Sequence, residues 1–466
     1  MRVSQGESRL QHVQLFLILL AGMSTYIVLL ISTSPSIAFI GVIALCVFVL
    51  SFVKIELCVA IMLAAMLLSP EVRLGTVGSG LMGTRDVVVR VEDLLIPLLG
   101  FLWVAHAAIH RNQNLWAPSP INTPILIIIA FNLLISTRAV LLGAPAAKTF
   151  FINMKYIEFY AIFFFASAYF DSRGKIKMAM VIMFLTALTV MLYAIPMIPK
   201  TELLTVHRLS APFEGKPEPG TLGGYLSMVM AILFGFFYYQ AKNIEQKFLL
   251  ILCIGVCALL VLYTLSRTSY GSLVAVLLMV AILARKPSLL LALLFVVLLS
   301  PFLLPERVAD RLMGTIYSGD TWGLEQGALD RLNVWRKTRF LWKSNPILGK
   351  GIGTTDMMDS EYPRILLETG LVGFGLFLWL QIRIFLMSYR FFRSTRDSLS
   401  KALSLGYICG HMGILVHCLG AVTFSIVRIM EPFWLFTGIL VGLQGMEIVE
   451  EEDPSFEEFQ AQPTYK

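Results

Sequence analysis

Charge is what this chain has least of. Of its 466 residues, 14% are Asp, Glu, Lys or Arg, whereas soluble domains carry about 25%. With 57% hydrophobic residues and a mean hydropathy of +0.77, the shortfall excludes an ordinary soluble domain. The six cysteines (Cys46, Cys58, Cys253, Cys257, Cys409 and Cys418) all fall in apolar runs. None has the spacing of a disulfide framework or of a zinc site. No HExxH, GxSxG or DxD motif is present. That argues against a zinc protease, a serine hydrolase and a metal-dependent nucleotide-sugar transferase. GKGIGTT at 349–355 lacks the spacing of a phosphate-binding loop and a strand before it, so no nucleotide site is expected. The period-two alternation of an outer-membrane barrel is missing. No small-residue cleavage site follows the first apolar run, which reads as a retained helix.

What the chain does have is a series of apolar runs near membrane-spanning length. They fall at about 13–32, 36–53, 56–69, 92–109, 123–143, 151–170, 176–196, 221–239, 247–265, 268–284, 287–304, 365–388, 402–424 and 430–446. An all-α polytopic membrane protein of about 12–14 spans is expected; the second and third runs are separated only by Lys54 and Ile55, and the count is twelve if that pair is broken or re-entrant. Short connections rich in Lys and Arg mark the cytoplasmic side. These are Arg111; Arg173, Lys175 and Lys177; Lys242 and Lys247; Arg285 and Lys286; and Arg390, Arg393, Arg396 and Lys401. They alternate with 70–91, 197–220, 266–268 and 305–364, which are assigned to the outer face. The net charge of +7 is therefore topological, and no nucleic-acid partner is expected. The chain reads as one transmembrane domain over 1–446, with a large outer loop at 305–364 and an acidic cytoplasmic tail at 447–466.

The 305–364 loop is the longest polar interval, and long loops on a rigid scaffold are where function sits. Within it, Asp330 is placed to cap a helix running through Arg331, Trp335, Arg339 and Trp342 to Asn345-Pro346. Such a helix suits the membrane surface, with Trp at headgroup depth. Arginine marks the outer side elsewhere too: Arg208 in HRLSAPFEGKPEPGTLGGYL, Arg267 in LSRTSYG and Arg428 in FSIVRIMEP. Drawing one Arg toward hydrocarbon costs about 2.5–3.5 kcal/mol. Snorkelling explains one such residue, but several on one side read better as an anion site, because guanidinium grips phosphate bidentately. His411 and His417, six residues apart on one run, read as interhelical hydrogen-bonders.

Three pieces together resemble the bacterial O-antigen ligase and Wzy-type polysaccharide polymerase superfamily: RLSAPFEGKPEPGTLGGYL; LSRTSYG; and RLNVWRKTRFLWKSNPILGKGIG followed by DSEYPRILLETGLVG. The resemblance covers roughly Arg208 to Gly375. It implies a GT-C-like bundle with a periplasmic loop, in a bacterial inner membrane. It also implies a glycan donor on undecaprenyl pyrophosphate, transfer without metal or nucleotide cofactor, and Arg208, Arg267 and Arg331 as pyrophosphate-binding positions. A chain-length regulator and a flippase are the implied protein partners. Ligase-type members carry a His-Asn pair nine residues before the Glu-x-Gly glutamate. Asp359 and Ser360 stand there in this chain, which favours the polymerase form. On that chemistry, Asp359, Glu361 and Glu214 are candidate bases for the attacking hydroxyl. Trp335 and Tyr362 are candidate sugar-stacking or interfacial residues, and Arg428 completes the substrate-binding set. The alternatives are a ligase with another acceptor and, in a different class, a lipid-linked glycan flippase; a flippase would be expected to show internal repeats, and none is seen.

Overall fold

The computed structural model describes residues 55–69, 71–77, 85–109, 117–198, 208–211, 218–289, 317–318, 321–322, 326–355 and 360–452. The first two apolar runs and nearly all of 287–304 lie outside these residues. The helices are α1 (Ile55–Leu68), α2 (Val91–Ile109), α3 (Asn122–Leu141), α4 (Ala146–Tyr169), α5 (Arg173–Ala194), α6 (Pro219–Tyr239), α7 (Ile244–Tyr263) and α8 (Arg267–Leu283). They continue with α9 (Gln326–Trp342), α10 (Glu361–Ser394), α11 (Ser398–His417) and α12 (Val427–Glu452). Among the described residues, eight helices are long and apolar enough to cross a membrane: α3 to α7 and α10 to α12.

Helix starts follow local chemistry. Pro219 opens α6, where a missing N–H is harmless. The Gln246 side chain reaches back to the Lys242 N–H before α7 (2.9 Å), and Asp397 accepts from the Ser400 N–H at the start of α11 (2.9 Å). Two expectations change. The expected loop at 70–91 contains an antiparallel hairpin, β1 (Val72–Val77) with β2 (Arg85–Val89), bulged between Arg73 and Gly75. A smaller one pairs β3 (Tyr317–Ser318) with β4 (Thr321–Trp322). The fold is helical, with short β-hairpins in its connections. Asp330 lies inside α9 and does not cap it, because the helix begins at Gln326. In addition, α12 runs past Gly445 to Glu452, where Glu447 accepts from the Thr395 hydroxyl (2.9 Å).

Close helix crossings use glycine, as expected where helices pack without a hydrophobic drive between them. A Cβ on Gly235 of α6 would sit 1.9 Å from the Ala402 carbonyl of α11, and one on Gly406 would sit 2.5 Å from Ile232 Cα. On α12, Gly438 and Gly442 face backbone of α4 at Phe163 and Phe170 in the same way. The core between these helices is continuous and includes Phe159, Phe163, Phe170, Phe433 and Trp434.

The connections sort to two ends of the bundle. At one end, Val91 donates to Ser69 Oγ (2.9 Å), Arg138 to the Gly349 carbonyl (3.0 Å), Leu209 to the Tyr263 carbonyl (3.4 Å) and Glu361 N–H to the Cys418 carbonyl (3.1 Å). At the other end, Arg173 pairs with Asp397 (2.6 Å), and Lys401 sits 5.9 Å from the Tyr239 ring centre. The segments meeting at the first end are those read as outer connections. Those at the second were read as basic, cytoplasmic ones.

Candidate functional site

Arg267 is the first residue of α8. The turn before it is tight: Leu265 takes a left-handed φ of 50°, which carries α7 directly into α8. Thr264 Oγ1 donates to the Val261 carbonyl (2.7 Å), Ser266 Oγ lies 3.0 Å from Thr268 Oγ1, and Tyr270 Oη donates to the Leu262 carbonyl (2.6 Å). The turn is therefore held rigidly, and Arg267 stands half-buried beside the first-turn N–H groups of a helix, a setting suited to anions. The Leu209–Tyr263 backbone bond brings the segment bearing Arg208, itself exposed, to the same turn.

Behind the turn lies His417, fully buried at the end of α11. Its Nε2 is 3.3 Å from Thr268 Oγ1 and its Nδ1 is 2.8 Å from Thr423 Oγ1. Gly220 and Gly224 of α6 leave room for the ring. His411 instead meets Gln381 Oε1 of α10 at 2.8 Å. Both histidines thus bond across elements, as their spacing suggested.

From Thr423 the network continues into α10. The next residue, Phe424, donates its N–H to Glu361 Oε2 (3.0 Å). Glu361 Oε1 pairs closely with Arg364. Arg364 also bonds Tyr156 Oη of α4 (2.7 Å) and Glu368 Oε2 (3.4 Å). Glu368 Oε1 accepts from the Gly353 N–H (3.0 Å) and the Thr355 hydroxyl (2.7 Å). This Glu-Arg-Glu ladder, at spacings of three and four on one helix face, lines a cavity of about 70 Å³. Asn132, Gln381 and the aromatic rings of Phe377, Phe424 and Trp434 complete its wall.

The Pro-x-x-Gly-x-Gly and Glu-x-Gly motifs form one interlocked unit. At Gly370 (φ 67°, ψ −167°) α10 leaves helical geometry. The turn at 346–351 fills the break. Lys350 and Gly351 donate to the Leu367 and Glu368 carbonyls (2.9 and 2.8 Å), while Leu371 and Val372 donate to the Pro346 and Ile347 carbonyls (2.9 and 3.2 Å). Gly349 also has a left-handed φ (66°). A Cβ on Gly349 would lie 2.4 Å from the Glu368 carbonyl, and one on Gly370 2.2 Å from that of Ile347. Only glycine permits both the φ and the approach. Glu-x-Gly is thus a break within a helix that begins at Glu361.

The remaining candidates divide. Tyr362 turns its hydroxyl to the Leu415 carbonyl (2.6 Å) and packs edge-on to Phe377. Trp335 is exposed on α9, as is Phe340. Arg331 lies on α9, one turn before Trp335. Arg428, almost wholly buried, donates to the Leu67 carbonyl (2.6 Å) and the Ser69 carbonyl (3.3 Å) and approaches Glu71 (3.9 Å). Asp359 and Glu214 lie outside the described residues. Sequence reasoning missed Arg364, Glu368 and His417 as linked groups. The signal for the first two was the Glu361, Arg364, Glu368 spacing; His417 carried none.

Fold and site together describe a multi-pass membrane protein whose polar chemistry gathers at one end of its bundle. Residues 252–378 match the family model described as O-antigen ligase. Over those residues the chain is similar to that family. The match runs from α7 into α10 and takes in Arg267, Arg331, Trp335, Asp359, Glu361 and Tyr362. Arg208, Glu214 and Arg428 fall outside it. No curated protein matches the chain.

Proposed function

We propose that this protein polymerises oligosaccharide repeat units carried on undecaprenyl pyrophosphate, building an exported or surface polysaccharide. The polar end of the bundle faces the periplasm, and the 305–364 segment lies over it in a GT-C-like arrangement within one transmembrane domain. The observation that carries the reading is the rigid Arg267 turn, with the Arg208 segment bound beside it. Guanidinium at a helix N-terminus is aimed at the charge that grows on a departing pyrophosphate, with Arg331 contributing from α9. Trp335 and Phe340 hold α9 at the membrane surface.

The attacking group is a sugar hydroxyl, and its proton passes to a carboxylate. Asp359 and Glu214 are the candidates that remain for this step. Glu361 is buried with both oxygens accepting bonds, so its role is to hold Arg364 and the 424 backbone in place. Arg428 fixes α12 against α1. The transfer step itself uses arginine, and no metal, as counter-charge.

In a purified system, Arg267→Ala is expected to slow extension of an undecaprenyl-pyrophosphate-linked oligosaccharide severely at normal protein yield. Removing one charge-assisted hydrogen bond costs about 1.5–3 kcal/mol, or roughly ten- to more than a hundredfold in rate. Extension within twofold of the unaltered protein would reject the assignment. The second reading, a ligase, is favoured by the description of the matched family. It predicts a single transfer to a different acceptor and no ladder of products.

A further inference from the structure

A second charged cluster occupies the polar end where α2, α4 and α12 meet. Glu92, Asp93 and Glu431 each present a carboxylate oxygen, all within 4.8 Å of one another. Around them, Lys155 bridges Asp93 and Glu158, Arg90 pairs with Glu71 (2.6 Å), and Arg428 approaches Glu71 at 3.9 Å. Five carboxylates (Glu71, Glu92, Asp93, Glu158, Glu431) thus meet three cations (Arg90, Lys155, Arg428) among the described side chains. Glu92 and Glu431 are completely buried. Neither oxygen of Glu431 has a hydrogen-bond donor among the described residues. A buried carboxylate so placed is costly unless a counter-charge reaches it.

We propose that Glu92, Asp93 and Glu431 bind a divalent alkaline-earth cation, Ca²⁺ or Mg²⁺. The ligand set is all oxygen, with no His or Cys, which suits hard cations. Two ligands on opposite sides of a Ca²⁺ at about 2.3–2.6 Å each stand at most about 4.6–5.2 Å apart, so three oxygens within 4.8 Å of one another are close enough to share one ion. With every carboxylate ionised, as a bound cation would require, the cluster carries an excess of two negative charges, the charge of the ion. Its effect is structural: it ties the start of α12 to the first turn of α2, beside α4 and next to the 418–426 segment that backs the Arg267 turn. It takes no part in glycan transfer.

The test uses the full chain purified in detergent and stripped with EDTA, with Mn²⁺ as a paramagnetic probe. The expected result is a single tight Mn²⁺ site displaced by Ca²⁺ or Mg²⁺, and a melting temperature higher with either ion than in EDTA. Glu431→Gln should bind Mn²⁺ at least about tenfold more weakly, with melting no longer responsive to the ions. Should Glu431→Gln fail to insert, Asp93→Asn is expected to show the same weakening. Absence of a Mn²⁺ site in the unaltered protein, or unchanged affinity in the variants, overturns the proposal and leaves protons as the balancing charge. Below its melting temperature the EDTA-treated protein should extend glycan at an unchanged rate. A rate that falls in EDTA while melting stays constant would instead count against arginine as the counter-charge.

Discussion

The two ends of the bundle are built on different principles. At the end with Arg173, Asp397 and Lys401, charges are partly solvated and pair singly across short loops. At the other end, charges lie within the helices and are held in networks. Glu361 and Glu368 flank Arg364, His417 joins α8 to the 423 turn, and Arg428 is committed to backbone carbonyls. Desolvated charge is expensive wherever it occurs, so a chain that concentrates it at one end does so where rigidity and field are needed. The solvated end needs only to keep its helices in register.

The comparison breaks most sharply at Arg364. Arg364→Ala would leave Glu361 and Glu368 buried without their shared cation. The expected loss is about 3–5 kcal/mol, seen as a steep drop in yield and melting temperature in detergent. Wild-type melting in this variant would mean that the ladder is not a stabilising unit.

Gly370→Ala sharpens it next. An alanine there must adopt a left-handed φ and meets the Ile347 carbonyl at 2.2 Å. Strain of about 1–3 kcal/mol is expected, released by parting the 346–351 turn from α10. Cross-linking of paired cysteines introduced at 348 and 371 should fall relative to the parent pair; equal cross-linking would show that the turn does not depend on the break.

The smallest effect belongs to the solvated end. Arg173→Ala removes a partly exposed pair worth about 0.2–1 kcal/mol after screening. Burial alone would raise the Asp397 carboxyl, but the Ser400 N–H and then the Arg173 guanidinium hold it below its ordinary value. A depressed carboxylate stabilises the fold above its unfolded titration range and loses that contribution as pH falls through its folded value. The difference between the parent and Arg173→Ala should therefore shrink on acidification below the usual carboxylate range. A difference that grows in acid would reverse the sign of the argument.

Much of the architecture was legible in the chain. The apolar runs at 56–69, 123–143, 221–239 and 247–265 each match a helix to within a few residues. Hydrophobic length is a local property, and a membrane-sized run has few alternatives. Arg267 could be singled out because a charged residue between two apolar runs is conspicuous wherever the partner lies.

Only the tertiary structure decided what those residues touch. The 346–351 turn bonds to 367–372 across a stretch whose shape no periodicity encodes, and the left-handed Gly370 is hidden inside what reads as one helix. His417 looked like any histidine in an apolar run until Thr268 and Thr423 arrived from elements 149 and six positions away. Glu361 looked like a free base until Arg364 and the Phe424 N–H took both its oxygens. Sequence determines where a helix lies because that depends on near neighbours. Which buried polar group satisfies which depends on how the helices cross, and here the crossings rest on close backbone approaches such as Gly235 to Ala402, a pairing invisible until both helices are in place.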